Sequence, residues 1–220
     1  MLITAGPTRE HLDPVRFMTN ASSGAMGFAL AKAARAKGAR VTVVSGPAAL
    51  RPPRGVTIVP VESALEMRRA VMARWRDSDV VIGAAAVGDW RFARPSSSKI
   101  KRSARALRLT MIPNPDIIAE VARRAKRDAR RPRALGQGPR PGARRCAVVG
   151  FALETTRWLS HAREKLERKG LDLVVANRTD ALASKRSRAA LVSREATLVL
   201  PLMDKERLAG RILAAVEEIE

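Results

Sequence analysis

Six apolar runs of strand length, at residues 2–5, 40–45, 56–61, 80–83, 147–152 and 171–177, are for the most part separated by stretches of helical composition. Short runs rich in Val and Ile, without polar alternation, are strands buried on both faces. Strands joined through helices pair in parallel by right-handed crossovers. The expected fold class is therefore α/β, a doubly wound, mostly parallel, Rossmann-like sheet. Ligands of such sheets sit beyond the carboxyl ends of the strands. By that rule the loop after residue 5, residues 83–89 and residues 151–154 face one crevice.

The segments between the runs carry their own signals. Ala/Lys/Arg-rich sequence after Gly27 predicts a helix, and Ser63, with Glu66 at the capping-box position, predicts another to about residue 76. Asn114 as cap and Pro115 in the first turn predict a helix to about residue 127; residues 159–169 predict a fourth. At the carboxyl end, residues 189–193 and 197–200 read as a hairpin, followed by a helix capped by Asp204 and running to residue 219. Residues 91–111 have no helical period. There Lys99-Ile100-Lys101 and Leu107-Arg108-Leu109-Thr110-Met111 alternate as strands around Ser96-Ser97-Ser98, predicting a β flap.

Length and charge bound the rest. A chain of 220 residues, 46% hydrophobic, can bury one good core, so one domain spanning 1–220 is expected. The single cysteine, Cys146, excludes an intrachain disulfide framework, and His11 and His161 alone make no metal site. No apolar run reaches membrane-span length and Met1 leads straight into a strand, so a cytoplasmic protein is expected. The formal net charge of +21 is densest at residues 123–145, where an Arg/Pro/Gly-rich stretch at 128–145 reads as a disordered insertion. Trp75, Trp90 and Trp158 are scattered and tyrosine is absent, which argues against a base-stacking platform; nucleic acid is expected to bind only non-specifically.

The first loop is the most informative stretch. Loops from strand to helix usually take roughly 2 to 6 residues, whereas this one carries Arg9, Asp13, Arg16, Asn20, Ser22 and Ser23 before its helix. Its Ser-Ser-Gly-x-x-Gly ending offers backbone N–H groups to an anion at a helix N-terminus. A dinucleotide dehydrogenase is not indicated. Its glycine fingerprint should follow the first strand at once and an acid should end the second, but that strand ends in Ser45-Gly46-Pro47.

Seven motifs then fall in one order: Ile3-Thr4-Ala5-Gly6-Pro7-Thr8-Arg9-Glu10; Leu12-Asp13-Pro14-Val15-Arg16; Asn20 with Ser22-Ser23-Gly24 and Met26-Gly27; Ala85-Ala86-Val87 with Asp89; Lys99-Ile100-Lys101; Asn114-Pro115-Asp116-Ile117; and Val149-Gly150-Phe151-Ala152 with Glu154. Together they closely resemble phosphopantothenoylcysteine synthetase over nearly the whole chain. The resemblance implies a ligase of coenzyme A biosynthesis that joins 4′-phosphopantothenate and L-cysteine through an acyl-cytidylate, with CTP as co-substrate and Mg²⁺ as cofactor. In bacteria this activity is often half of a protein whose other half is a flavin-dependent decarboxylase. A stand-alone synthetase or an excised half is expected, with no FMN in this chain, a decarboxylase domain or partner in reserve, and a homodimer whose flap strands pair across the two-fold axis.

The resemblance assigns Asn20 to the acyl-cytidylate step and Lys99 to the triphosphate as the catalytic cation. For CTP it implicates Gly83, Ala84, Ala85, Pro115, Asp116, Ile117, Ile118, Phe151, Lys165 and Lys169. Ser22, Ser23 and Gly24 are further candidates for the nucleotide phosphates, Arg16 with Asn20 for phosphopantothenate, and Asp89 for Mg²⁺ carried by the nucleotide. Departures are Ala25, where a lysine is common, Arg102 as the last member of a Lys-x-Lys-Lys pattern, and Lys185-Arg186-Ser187-Arg188 in place of an acidic, Asn-containing segment. Read from the residues alone, Phe151 is as well a core residue, and Lys165 and Lys169 are as well solvated helix charges. A basic Rossmann-like, nucleic-acid-associated protein without ligase activity is the alternative.

Overall fold

The computed structural model describes residues 1–103, 105–130, 146–178 and 186–219. In chain order these form β1 (Leu2–Ala5), β2 (Arg9–His11), β3 (Phe17–Thr19), α1 (Ala25–Ala36), β4 (Thr42–Ser45), β5 (Thr57–Pro60) and α2 (Ala64–Met72). Then follow β6 (Val80–Gly83), β7 (Trp90–Phe92), β8 (Met111–Pro113), α3 (Ile117–Arg130), β9 (Ala147–Glu154) and α4 (Trp158–Lys169). The chain closes with β10 (Leu173–Arg178), β11 (Arg186–Ser187), β12 (Ala189–Val192), β13 (Thr197–Val199), β14 (Met203–Asp204) and α5 (Lys205–Glu217).

Eight strands make one sheet in the order β13-β12-β10-β9-β6-β1-β4-β5. The six from β10 to β5 are parallel, and β12 and β13 add antiparallel pairs at one edge. The expected doubly wound fold is therefore present. From β1 the chain runs outward through β4 to β5, then returns to β6 on the other side of β1, so the winding reverses between β1 and β6.

Period-two side-chain alternation explains the unbroken apolar runs. Ile3, Val43, Ile82, Val149 and Val175 face α1 and α5, burying Leu30, Ala31, Leu208 and Ile212. Their chain neighbours Leu2, Val44, Val81, Val148 and Val174 face α2, α3 and α4, burying Met67, Val71, Val121 and Leu166. Each fully buried aliphatic side chain contributes about 1.5–3 kcal/mol of transfer free energy. Helix α1 lies so close to β1 that a Cβ on Gly27 would come within 2.6 Å of the Ala5 Cβ, which leaves glycine as the residue that fits.

Local signals hold in part. Ser63 Oγ accepts from Glu66 N–H at 3.2 Å, and the Glu66 carboxylate accepts from Glu62 N–H at 2.9 Å, completing the expected capping of α2. Helix α2 nonetheless stops at Met72, and Trp75–Asp77 form a 3₁₀ turn. Asp204 caps α5 as expected, accepting from Arg207 N–H at 2.7 Å.

Four expectations change. The long first loop is folded, with β2 and β3 pairing as a hairpin, and α1 begins at Ala25, ahead of Gly27. Asn114 does not cap α3: its amide donates to Gly88 O at 2.8 Å, while Asp116 accepts from Ala119 N–H at 3.1 Å, leaving Pro115 outside the helix. In the flap, Lys99-Ile100-Lys101 form no strand, and the ladder is β7 with β8, reaching only Met111 of the second predicted run. Helix α3 extends to Arg130, so the stretch expected to be disordered from 128 begins inside a helix; residues 131–145 and Lys185 lie outside the described residues.

Candidate functional site at the strand carboxyl ends

The loops leaving β1 and β6 are held together at the reversal point. Thr8 N–H donates to Ala86 O at 3.2 Å and Ala86 N–H to Gly6 O at 3.0 Å, which prolongs the β1–β6 pairing beyond the sheet. Two threonine hydroxyls of the first strand and its loop fix the second loop from below. Ala85 N–H donates to Thr4 Oγ1 at 3.1 Å and Gly88 N–H to Thr8 Oγ1 at 2.9 Å. From the hairpin side, Asn20 Nδ2 donates to Ala86 O at 3.1 Å.

Beside this clamped backbone lies a cavity of about 320 Å³. Gly83, Ala85, Asp89, Pro115, Asp116, Ile117, Ile118, Phe151, Lys165 and Lys169 all line it, so ten residues singled out in the sequence converge there from four separate segments. Val87 and Gly88, within the segment 83–89 expected to face the crevice, line it too; Thr4, Met67, Val71, Val81 and Asn114 complete the wall and had not been singled out as lining a site. The apolar ones are ordinary core residues in the sequence, whose only signal is their place near the carboxyl ends of β1 and β6 or on α2.

Two lysines from one turn of α4 supply the cavity's positive charge. Lys169 Nζ is 2.7 Å from Asp116 Oδ2, with only 15% of the Lys169 side chain exposed. Partial enclosure works against ionisation of Asp116, but the Lys169 hydrogen bond, the Ala119 N–H and the charges of both lysines outweigh it and lower its pKa. Burial, then the neighbouring charge of Lys169, push the Lys165 pKa down, against the pull of Glu154 and Asp116. A bound anion would reverse that balance, since it favours the charged ammonium.

Ser22, Ser23, Gly24 and Ala84 do not line this cavity. They border an adjoining one of about 90 Å³ at the N-terminus of α1, together with Asn177, Ser187, Leu153 and Lys205. Asn177 Oδ1 there is buried with no hydrogen-bond partner among the described residues, and burial lowers the Lys205 pKa. Asn177 lies one residue before the carboxyl end of β10, which pairs in parallel with β9, and that position was the signal by which it could have been found.

Lys99 and Arg16 lie outside both cavities. Lys99 is exposed, next to Ile100, whose N–H donates to Asp13 Oδ2 at 3.1 Å and whose carbonyl accepts from Arg16 Nη2 at 2.8 Å. Arg16 also donates from Nε to Asp13 Oδ2 at 3.0 Å. That guanidinium, against the opposing effect of burial, holds the Asp13 carboxyl well below the usual carboxylate range, with help from the Val15, Ile100 and Arg16 N–H groups.

Among the described residues no three or more His, Cys, Asp or Glu side chains converge where they could hold a metal ion. Asp89, exposed at the cavity rim, is a single carboxylate; it fits a Mg²⁺ that brings phosphate oxygens as its other ligands. A larger depression, about 1150 Å³, opens at the opposite end of the sheet around Met1, Thr42, Thr57 and Val80. It lies at the amino ends of the strands, away from every residue singled out above.

Residues 1–219 match the family described as DNA/pantothenate metabolism flavoprotein C-terminal domain. The coenzyme A biosynthesis bifunctional protein CoaBC of Vibrio cholerae is 43% identical over 224 residues, covering 99% of this chain and 52% of that protein. Its counterpart in Escherichia coli is 44% identical over 220 residues, 97% of this chain and 50% of that protein. The chain thus spans about half the length of the curated relatives it matches. The crystal structure of the C-terminal domain of a CoaBC superimposes with a TM-score of 0.77 at 35% identity, covering 99% of this chain and 93% of that one. A Cab2 mutant in complex with phosphopantothenate-cysteine gives 0.74 at 17% identity, over 99% of this chain and 86% of that one, a likeness of fold. Among the described residues no helix is long and apolar enough to cross a membrane.

Proposed function

The chain belongs to the DNA/pantothenate metabolism flavoprotein C-terminal domain family, and from that premise we propose that it is the CTP-dependent ligase that joins 4′-phosphopantothenate to L-cysteine in coenzyme A biosynthesis. The observation that carries this reading is the convergence of Gly83, Asp89, residues 115–118, Phe151, Lys165 and Lys169 on one cavity, with Asn20 held one loop away. The CoaBC relatives, named for coenzyme A biosynthesis, support it.

The reaction needs an activated acyl group. A carboxylate oxygen of phosphopantothenate bonds to the α-phosphorus of CTP and the bond to pyrophosphate breaks, giving the acyl-cytidylate. The cysteine amine then bonds to the acyl carbon, CMP departs, and the amine loses a proton. Both substrates of the first step are polyanions, so fixed cations and oriented N–H donors lower its barrier. Lys165 and Lys169 offset phosphate charge inside the cavity and Lys99 does so from the flap. Phe151 and Ile118 give the base an apolar wall, while the Asn20 amide, once released from Ala86 O, orients the acyl carbonyl. Ser22, Ser23 and Gly24 receive nucleotide phosphate oxygens in the adjoining cavity, and Arg16, from the hairpin turn outside both cavities, adds charge at the phosphopantothenate phosphate. Mg²⁺, when bound, supplies further charge neutralisation at the phosphates, with Asp89 as its protein ligand. A homodimer and a decarboxylase partner or domain complete the proposal.

Pyrophosphate release, measured with phosphopantothenate and CTP, ATP, GTP or UTP in turn, tests it. CTP should give release that needs phosphopantothenate, and cysteine should then convert the accumulated intermediate to amide. Failure of all four nucleotides to yield pyrophosphate, or release independent of phosphopantothenate, rejects the reading.

A further inference from the structure

We infer that Asp13 is a positioning residue, whose buried carboxylate fixes the flap segment 99–101 against the hairpin that leads to Asn20. The inference rests on the ligase reading for its kinetic consequence and on geometry for the rest. Asp13, 1% exposed, stands in the turn between β2 and β3. Its Oδ1 accepts from Val15 N–H at 2.9 Å and Arg16 N–H at 2.8 Å, which closes the turn. Its Oδ2 accepts from Arg16 Nε, Arg16 Nη2 and Ile100 N–H. Arg16 Nη2 also reaches the Ile100 carbonyl, so both main-chain groups of Ile100 are held by one ion pair.

The rest of the segment has little else to hold it. Among the described residues, the hydrogen bonds linking residues 94–109 to other parts of the chain are these two at Ile100 and Ser96 N–H to Leu12 O at 2.8 Å. All three end on the β2–β3 turn. Ser96 with Ser98, and Ser103 with Arg105, bond only within the segment. Lys99 and Lys101 flank the held residue, and Asn20 follows β3 directly, so one turn sets the register of the cation relative to the amide. Arg16 bonds inward through Nε and Nη2, which leaves its Nη1 edge for an anion.

Asp13→Asn preserves size but presents an amide where five N–H donors now meet a carboxylate, and it turns one acceptor into a donor facing them. Small displacements of a reacting group cost about 100-fold in rate. The expected result is kcat for CTP-dependent pyrophosphate release down by about 100-fold with KM for CTP changed less than about threefold. In a Lys99→Gln background the same substitution should cost less than about threefold, because Asp13 acts through Lys99. An equal loss in both backgrounds overturns the inference.

Amide exchange in the unsubstituted protein gives an arm that needs no variant. The Ile100 amide should exchange at least tenfold more slowly than those of Ser103 and Arg105; exchange as fast as theirs refutes the joint. That arm stands even if no nucleotide yields pyrophosphate, the outcome that would reject the ligase reading instead.

Discussion

Gly83 offers the most searching test of the cavity. A Cβ built on it would lie 3.1 Å from both Cδ1 and Cγ1 of Ile118 and 3.4 Å from its Cβ. Ordinary carbon contacts are about 3.5–4.0 Å, so Gly83→Ala forces Ile118 back by about half an ångström. The cost should fall at the low end for overpacking, about 1 kcal/mol. Ile118→Ala alone should cost about 2 kcal/mol through its lost contacts. The double variant should be more stable than the sum of the two by about 1 kcal/mol, because truncation removes both close atoms. Denaturant titration reads these terms. Additivity within about 0.5 kcal/mol refutes the claim that Ile118 is what excludes a side chain at Gly83. The added methyl also narrows the cavity, so KM for CTP should rise about tenfold, or 1.4 kcal/mol, in both the wild-type and the Ile118→Ala backgrounds. An unchanged KM in both would refute close approach of the nucleotide to Gly83.

Four further outcomes follow from the same geometry. Lys99→Gln should slow formation of the acyl-cytidylate by about 100-fold, as loss of one electrostatic donor does elsewhere, whereas Asn20→Ala should chiefly affect acyl positioning and the cysteine step; single-turnover trapping distinguishes them. Because burial and Lys169 lower the Lys165 pKa, CTP affinity should fall on the alkaline side before the ordinary lysine range near about 10.4 is reached, and Lys165→Arg should move that limb upward in a binding titration. Asp13, Asp116 and Glu120 all have lowered pKa values, Glu120 through hydrogen bonds from Arg68 against partial burial; their stabilisation should be fully present above about pH 4.3 and be lost as pH falls below about 4, which acid unfolding curves measure. Thr8→Val removes the oxygen that accepts from Gly88 N–H beneath the loop, and should cost about 1–3 kcal/mol in chemical denaturation.

What could be read from sequence divides along a physical line. The strands β1, β4, β6, β9 and β10 announced themselves because a buried parallel strand must be apolar on both faces, and a short Val/Ile run has few other uses; β5, the half-exposed edge strand, was legible from its Val/Ile run alone. The hairpin of β2 and β3 did not, because Arg9-Glu10-His11 and Phe17-Met18-Thr19 mix charge with exposed apolar residues and present no alternation. Its stability comes from the turn at Asp13 and from Glu10, whose carboxylate accepts from Ala64 N–H at 3.0 Å at the start of α2. The sequence separation of that contact hides it. The flap misled for a related reason: Lys99-Ile100-Lys101 alternate as a strand does, yet the main-chain groups of Ile100 bond to a side-chain ion pair rather than to a neighbouring strand.

Asn114 shows why the site was legible as a set of positions but not as a mechanism of support. Asn is a favoured helix cap and precedes Pro115-Asp116, so local propensity allowed two caps and sequence could not choose between them. The choice is made at a distance. Gly88 O takes the Asn114 amide, Thr8 takes the Gly88 N–H, Thr4 takes the Ala85 N–H and Asn20 takes the Ala86 carbonyl. Residues 84–88 are therefore fixed by their main chain from the β1 loop, the α3 approach and the hairpin at once. A segment held this way needs no large side chains of its own. Its Ala-Ala-Ala-Val-Gly composition follows from that, with the backbone serving as a preorganised surface whose N–H groups at Ala85, Ala86 and Gly88 are already oriented. Small residues at the end of a strand mark such a surface in the sequence, while the hydroxyls and amides that hold it in place can be recognised only once the loops are seen together.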